Sequence, residues 1–205
     1  VGSGRWSDLT VFSFHPVKIV TTGEGGMVLA ESAAHARKLR LLRTHGIDRA
    51  KAKSKGGWYY EQTDLGYNYR LTDIQAALGE SQLGRLDAFL ARRRELAARY
   101  DRLLEGMAAV RPWQHPESLS SWHLYVVQVE NRRKVYDSLR AAGLGVNVHY
   151  IPVHLHPHYR KLGFKPGDFP RAEAYYARAL TLPLFPGMTD ADQDRVVAAL
   201  KAALA

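Results

Sequence analysis

Lys18 is the residue of this chain best placed for covalent chemistry. It follows an apolar run, Leu9–Phe14, in which Leu9, Val11, Phe12 and Phe14 are β-formers. His15-Pro16 ends that run, because proline cannot donate to a sheet ladder. A glycine-rich turn, Gly23-Glu24-Gly25-Gly26, follows the lysine. A lysine at the end of a strand can sit at the mouth of a sheet, where α/β proteins keep their ligands. Lysine amines attack carbonyls only when deprotonated, so a site must desolvate the amine or consume it as a Schiff base. Ser13, on the same segment, offers a hydroxyl to an anion such as phosphate. Read alone, Lys18 is equally an exposed lysine in a loop.

Two further groupings carry polar chemistry. Gly66-Tyr67-Asn68-Tyr69-Arg70 combines an amide donor with a guanidinium, and both can hold phosphate oxygens. Its plain alternative is a turn leading into a helix, with the tyrosines packed inward. His149-Tyr150-Ile-Pro-Val-His154-Leu-His156-Pro-His158 holds four histidines within ten residues. Imidazole is a common metal ligand, but no acid or cysteine lies within the cluster and Pro157 interrupts it. Substrate contact by His149 or Tyr150, with packing for the remaining histidines, is the expected role, and no metal site is expected. Glu24 and His15 flank the lysine and read as support for its loop.

The segment Ser13-Phe-His-Pro-Val-Lys-Ile-Val-Thr-Thr-Gly-Glu-Gly-Gly26 resembles the cofactor-lysine segment of the DegT/DnrJ/StrS-type sugar aminotransferases. These are fold-type I enzymes that use pyridoxal 5'-phosphate. The resemblance implies that Lys18 carries the cofactor covalently and that Ser13 binds its phosphate. It also implies that the Gly66–Arg70 loop reaches across a homodimer, with Asn68 on the partner's cofactor phosphate. Arg70, His149 and Tyr150 are then substrate-binding residues. The likeness to the pseudaminic-acid-pathway members, which aminate a UDP-4-keto-6-deoxy-hexose, is especially close. Implied partners are a nucleotide sugar and an amino acid donor, usually glutamate. Relatives that dehydrate instead carry histidine in place of the lysine, so Lys18 argues for transamination.

The resemblance runs to the C-terminus and covers roughly the C-terminal half of such an enzyme. The region before Val1 would carry the aspartate for the pyridine nitrogen, the stacking aromatic and a phosphate-binding helix start. The isolated chain is therefore expected to bind the cofactor weakly and turn over nothing. The alternative is a non-catalytic fragment, a basic module for binding or oligomerisation.

The elements that must position these residues follow from periodicity. Residues 9–30 read as two strands around the lysine loop. A helix is expected over 33–44, ended by His45-Gly46, then a mobile polar loop over 47–63. Thr72 and Gln75 form a capping box for a long helix from about Asp73 to Leu104, with a possible break at Gly84. Its apolar stripe includes Ile74, Leu78, Leu83, Leu86, Leu96 and Tyr100. Beyond it come strands over 122–129 and 146–151 and helices over 132–142 and 169–179. An extended piece over 182–185 precedes a last helix capped by Thr189. The expected fold class is α/β, the C-terminal part of a fold-type I transferase. The end of a large cofactor-binding domain occupies 1–84, and a small α+β domain occupies 85–205.

Composition narrows the class. The 205 residues are 46% hydrophobic and 24% charged, ordinary for a globular protein. The formal charge of +9 suits anionic ligands, and with no nucleic-acid motif beside it a nucleotide sugar and a phosphate cofactor account for it. Without cysteine there are no disulfides or thiol catalysis, which suits the cytoplasm. No apolar run approaches a membrane span, and the start does not resemble a signal peptide.

Overall fold

The computed structural model describes residues 2–205 and divides them into two compact units, one ending at Leu86 and the other running from Asp87 to Ala205.

The first unit begins with an antiparallel hairpin, β1 (Leu9–Ser13) and β2 (Gly26–Ala30), with Leu9 opposite Ala30 and Ser13 opposite Gly26. The twelve-residue connection between them, 14–25, holds Lys18. Helix α1 (Ala33–Arg43) starts at Ser32, whose hydroxyl accepts from the His35 N–H, and carries Arg40 and Arg43 in its last turn. The chain reverses through His45 and Gly46, both in the left-handed region.

Residues 47–63 are more ordered than their polarity suggests. Two short strands, β3 (Ile47–Asp48) and β4 (Glu61–Gln62), pair antiparallel around one helical turn, α2 (Ala52–Lys55). Glu61 accepts from both the Lys51 ammonium at 3.1 Å and the Tyr59 hydroxyl at 2.7 Å, which ties the ribbon together.

The capping box at Thr72 and Gln75 is present and opens α3 (Asp73–Leu83). The expected single helix is two: the chain breaks at Gly84-Arg85 and resumes as α4 (Leu86–Leu103). The two halves also differ in burial. Ile74, Leu78 and Leu83 on α3 are exposed, whereas Leu96, Ala97 and Tyr100 on α4 are buried.

The second unit is built on a three-stranded antiparallel sheet in the order β5 (Ala109–Val110), β6 (Tyr125–Val129), β7 (Ala179–Leu182). Tyr125, Val127 and Val129 alternate into the core, and all four residues of β7 are buried. Helices α5 (Arg132–Ala141), α4 and α8 (Asp190–Leu204) supply Val135, Leu139, Leu96, Tyr100, Val196 and Leu200 to the same core. Tyr100 and Tyr125 meet at 4.9 Å between ring centroids. Thr189 caps α8 in a capping box with Asp192.

Two expected strands are displaced. The alternation over 146–151 mimics a strand, but only Asn147 bridges to Thr181 before the chain leaves the sheet. The strand partner is instead 179–182, because helix α7 (Pro170–Arg178) stops earlier than its alanine-rich end suggests. The strand expected from Trp122 begins at Tyr125, with Trp122 at φ 48°. A 3-10 turn (Val153–Leu155) and a short helix, α6 (Pro157–Arg160), fill the histidine-rich stretch.

The consecutive arginines of α4 have structural tasks. Arg93, 6% exposed, donates to the carbonyls of Trp122 and Leu184 at 3.0 Å each. Arg92 reaches the Met188 carbonyl and Asp190, and Arg94 the Ser120 carbonyl. Arg99 pairs with Asp190 and Asp194. These cations lace the second unit together, so part of the positive charge is internal to the fold.

Candidate active site

The Lys18 loop is pinned at its base. The Phe14 carbonyl accepts both the Thr22 N–H, at 3.0 Å, and the Thr21 hydroxyl, at 3.1 Å. The Phe14 N–H donates back to the Gly25 carbonyl at 2.9 Å. Thr22 is 3% exposed and donates its hydroxyl to the Glu24 carbonyl at 2.7 Å. No side chain fits at Gly25, where a Cβ would lie 2.2 Å from Thr22 Oγ1. Helix α3 braces the loop from outside. Gln75 donates to the Glu24 carbonyl at 2.9 Å, and Gly79 lets the helix approach Thr22 closely, since a Cβ there would meet Thr22 Cγ2 at 2.8 Å.

On this fastened loop the Lys18 N–H donates to the His15 carbonyl at 2.9 Å. Its side chain is half-buried, and among the described residues its amine has no hydrogen bond or ion pair. Ser13 Oγ accepts from the His15 N–H at 3.4 Å, which leaves its own proton to donate. His15 Nε2 and Glu24 Oε1 approach to 3.9 Å, both exposed.

Asn68 and Arg70 sit on a second connection, fixed to the end of α1. Tyr67 donates to the Leu42 carbonyl at 2.6 Å, His45 to the Tyr67 carbonyl at 2.8 Å, and Tyr69 to the Arg43 carbonyl at 2.9 Å. Gly66 and Gly46 make this contact possible: a Cβ on Gly66 would lie 2.2 Å from the Gly46 nitrogen. The tyrosines do not pack inward. Tyr67 and Tyr69 stack on each other at 4.7 Å and stay exposed. Arg70 lies 2.9 Å from His45 Nε2; an arginine can only donate, so that ring nitrogen is the acceptor. The Asn68 side chain is exposed and makes no hydrogen bond among the described residues. No hydrogen bond or ion pair among the described residues joins Lys18 to Asn68 or Arg70.

His149 and Tyr150 belong to the second unit. His149 Nδ1 lies 2.7 Å from the Thr181 hydroxyl and Nε2 lies 3.3 Å from the Asn147 amide nitrogen. The amide nitrogen donates, so Nε2 accepts and Nδ1 carries the proton. Burial pushes the His149 imidazole below its ordinary range, keeping it neutral. Both ring nitrogens are therefore engaged, and the group left facing solvent is Tyr150, which is 72% exposed. His154 is buried and pairs with Glu173 at 2.9 Å, an acid from outside the histidine cluster.

The residues of the first unit suit pyridoxal phosphate by their chemistry: an unengaged amine for its aldehyde, and a hydroxyl and an amide for its phosphate. The comparisons bear on the same point. The family model of the DegT/DnrJ/EryC1/StrS aminotransferases matches residues 2–201. This chain belongs to that family. It is 41% identical to the spore coat polysaccharide biosynthesis protein SpsC of Bacillus subtilis, over 97% of this chain and 54% of that protein. Its fold matches the putative sugar aminotransferase Spr1654 of Streptococcus pneumoniae in the PMP-form. That match has a TM-score of 0.91 and 34% identity, over 98% of this chain and 54% of the other. PseC of Helicobacter pylori, an aminotransferase involved in the biosynthesis of pseudoaminic acid, matches at TM-score 0.87 and 28% identity, over 97% and 54%. The chain thus spans about half the length of these relatives, and its mixed α/β structure corresponds to that half of a fold-type I enzyme.

Several supporting residues escape a reading of the sequence. Thr22, the buried anchor of the lysine loop, looks like any loop threonine. Gly79 does leave a signal, because an interior helix glycine costs about 1 kcal/mol against alanine and so marks a close approach. Thr181, whose hydroxyl lies 2.7 Å from His149 Nδ1, is found only through the pairing of 147 with 181.

Proposed function

We propose that this protein acts as a pyridoxal-phosphate-dependent transaminase, moving an amino group from an amino acid, glutamate by preference, to a nucleotide-linked keto sugar. A UDP-4-keto-6-deoxy-hexose is the substrate class, and amino-sugar biosynthesis in the cytoplasm is the setting. The observation that carries this is Lys18: a partly buried residue whose amine has no partner among the described residues, on a loop pinned at both ends. The likeness to sugar aminotransferases and to proteins of polysaccharide biosynthesis supports the substrate class. No helix among the described residues is long and apolar enough to cross a membrane.

When bound, the cofactor supplies an electron sink for the charge left on the donor's α-carbon. Lys18 Nζ would hold the cofactor through its aldehyde, and as a free amine it would move a proton at the donor's α-carbon as general base. The pinned loop keeps Nζ in register for this. Ser13 donates its hydroxyl proton to the phosphate. Asn68 and Arg70, which stand on another connection and make no bond to Lys18 among the described residues, serve the site of a second copy. Tyr150 contacts the sugar, and His149, fixed by Thr181 and Asn147, positions it. The alternative of a basic binding module draws less support, because Arg92, Arg93, Arg94 and Arg99 are engaged within the fold.

The test uses the native protein with pyridoxal phosphate. Borohydride should fix the cofactor on Lys18, found by peptide mass spectrometry, and Lys18→Ala should abolish amination of a nucleotide-linked keto sugar while the circular dichroism stays unchanged. Sugar amination that persists in Lys18→Ala overturns the proposal.

A further inference from the structure

The second unit contains a surface cavity of about 520 Å³ lined by Pro157, Arg160, Lys161, Gly163, Phe164 and Lys165. Three of its six lining residues are cations. Among the described residues none of the three side chains has a hydrogen bond or ion pair. This sets them apart from the arginines of α4, which are engaged. The segment's acid, Asp168, accepts from the Lys165 backbone N–H at 2.9 Å and so braces the turn. Three like charges around one cavity repel each other, and an anion placed among them removes that cost.

The turn that carries Lys165 is tied to one buried side chain, His154. His154, 6% exposed, bonds to Glu173 at 2.9 Å, and Glu173 also accepts the Gly167 N–H at 2.8 Å. Phe169 packs on the His154 ring at 4.8 Å between centroids, and Phe164 stands 6.1 Å from Phe169. Gly163 at φ 102° and Gly167 at φ 94° make turns that side chains rarely tolerate. The turn bearing the cations is thus tied to the protein's interior, and the half-exposed ring of Phe164 lines the same cavity.

The geometry points to a nucleoside diphosphate as the occupant: Arg160, Lys161 and Lys165 receive the phosphate oxygens, and Phe164 offers its ring to the base. Guanidinium and ammonium groups are the ordinary partners of phosphate, and an aromatic face takes any base. The volume lies in the usual range for small-molecule sites, about 300–1,000 Å³. This assignment rests on the nucleotide-linked substrate proposed above and places its nucleotide on the second unit.

Binding is measured apart from catalysis, by titrating UDP, inorganic pyrophosphate and uridine into the native protein in a calorimeter. UDP should bind more tightly than pyrophosphate, and uridine only weakly. The pair Lys161→Gln, Lys165→Gln should weaken UDP by about tenfold or more, as the loss of charge-assisted hydrogen bonds requires. Phe164→Ala should weaken UDP several-fold and leave pyrophosphate unchanged. A control pair of equal charge loss outside the cavity lining, Arg133→Gln with Lys134→Gln, should stay within about twofold of the wild type, since surface charges that do not touch the ligand are screened by salt. The proposal is overturned if UDP binds the Lys161, Lys165 variant normally, if the control weakens it equally, or if pyrophosphate matches UDP. Cation-dependent UDP binding without any sugar amination would refute the proposed activity and leave this site standing. Amination with UDP binding indifferent to these residues would do the reverse.

Discussion

Lys18 and His149 show how differently two candidate residues emerge from sequence and from structure. The lysine is legible because the residues around it, from Ser13 to Gly26, form a long and specific pattern. What holds it is not legible, since Thr22 declares itself only by its burial and its bond to Glu24. The histidine is visible as part of a cluster, but its role depends on Thr181, which lies 32 residues away. That environment gives a prediction in pH. Burial lowers the folded-state pKa of His149 below the ordinary histidine value of about 6.5, so the folded protein resists the proton that the unfolded chain accepts. The stability this group contributes is full above the unfolded value and falls away as pH drops through the window beneath it. His149→Gln cannot be charged and keeps a polar group near Thr181. Between about pH 7.5 and pH 5, a span that brackets the histidine transition, its urea midpoint should fall less than the wild type's. Parallel losses would show that the proton on His149 has no part in the acid sensitivity.

At the scale of elements, local chemistry was readable and pairing over distance was not. The capping boxes at Thr72 and Thr189 follow from side chains three residues apart, and both are present. The hairpin around Lys18 follows from apolar alternation on either side of a glycine turn. The ribbon over 47–62 was hidden, because polar residues held by one glutamate leave no periodicity. The strand over 179–182 is legible only at its edge, because the expected helix reaches 179 and the expected extended piece starts at 182, while its pairing with 125–128 is nonlocal. Gly79 provides the test at this scale. Alanine is the better helix former by about 1 kcal/mol, so propensity alone favours Gly79→Ala. The structure favours the opposite sign, because the new Cβ would come 2.8 Å from Thr22 Cγ2. Gly79→Ala should lower the thermal midpoint. Thr22→Ser deletes that methyl group and keeps the hydroxyl that bonds to Glu24. In the Thr22→Ser background, Gly79→Ala should therefore be neutral or stabilising, a coupling that a double-mutant cycle measures. Independent, additive effects would mean that α3 does not press on the lysine loop at Thr22.

For the molecule as a whole, the two units are unequally furnished. Among the described residues the buried hydrophobic core runs from Leu96 to Ala203, all in the second unit. The first unit, which carries Lys18, buries Thr22 but leaves Val11, Met27, Ile74, Leu83, Tyr67 and Tyr69 exposed. Apolar exposure on this scale marks surfaces that other polypeptide covers, and we propose that a second copy covers part of it. The Gly66–Arg70 connection is the portion with a stated task. It is anchored to α1 by main-chain bonds, presents Asn68 and stacked tyrosines to the outside, and among the described residues makes no hydrogen bond or ion pair to Lys18 of its own chain. If Asn68 and Arg70 serve the partner's cofactor, each site contains Lys18 from one copy and Asn68 and Arg70 from the other. Two defective proteins can then rescue each other. Lys18→Ala alone is inactive, and so is the pair Asn68→Ala, Arg70→Ala. In a mixed dimer one site collects both lesions, and the other has an intact Lys18 with an intact Asn68 and Arg70. Random mixing of equal amounts makes half the dimers mixed, each with one intact site of two, so activity should return to about one quarter of the wild type's. The measurement is the amination rate after unfolding and refolding the two variants together, with subunit exchange followed by native mass spectrometry. Activity that stays at background although mixed dimers are present would place Asn68 and Arg70 at their own chain's site, or outside the site altogether.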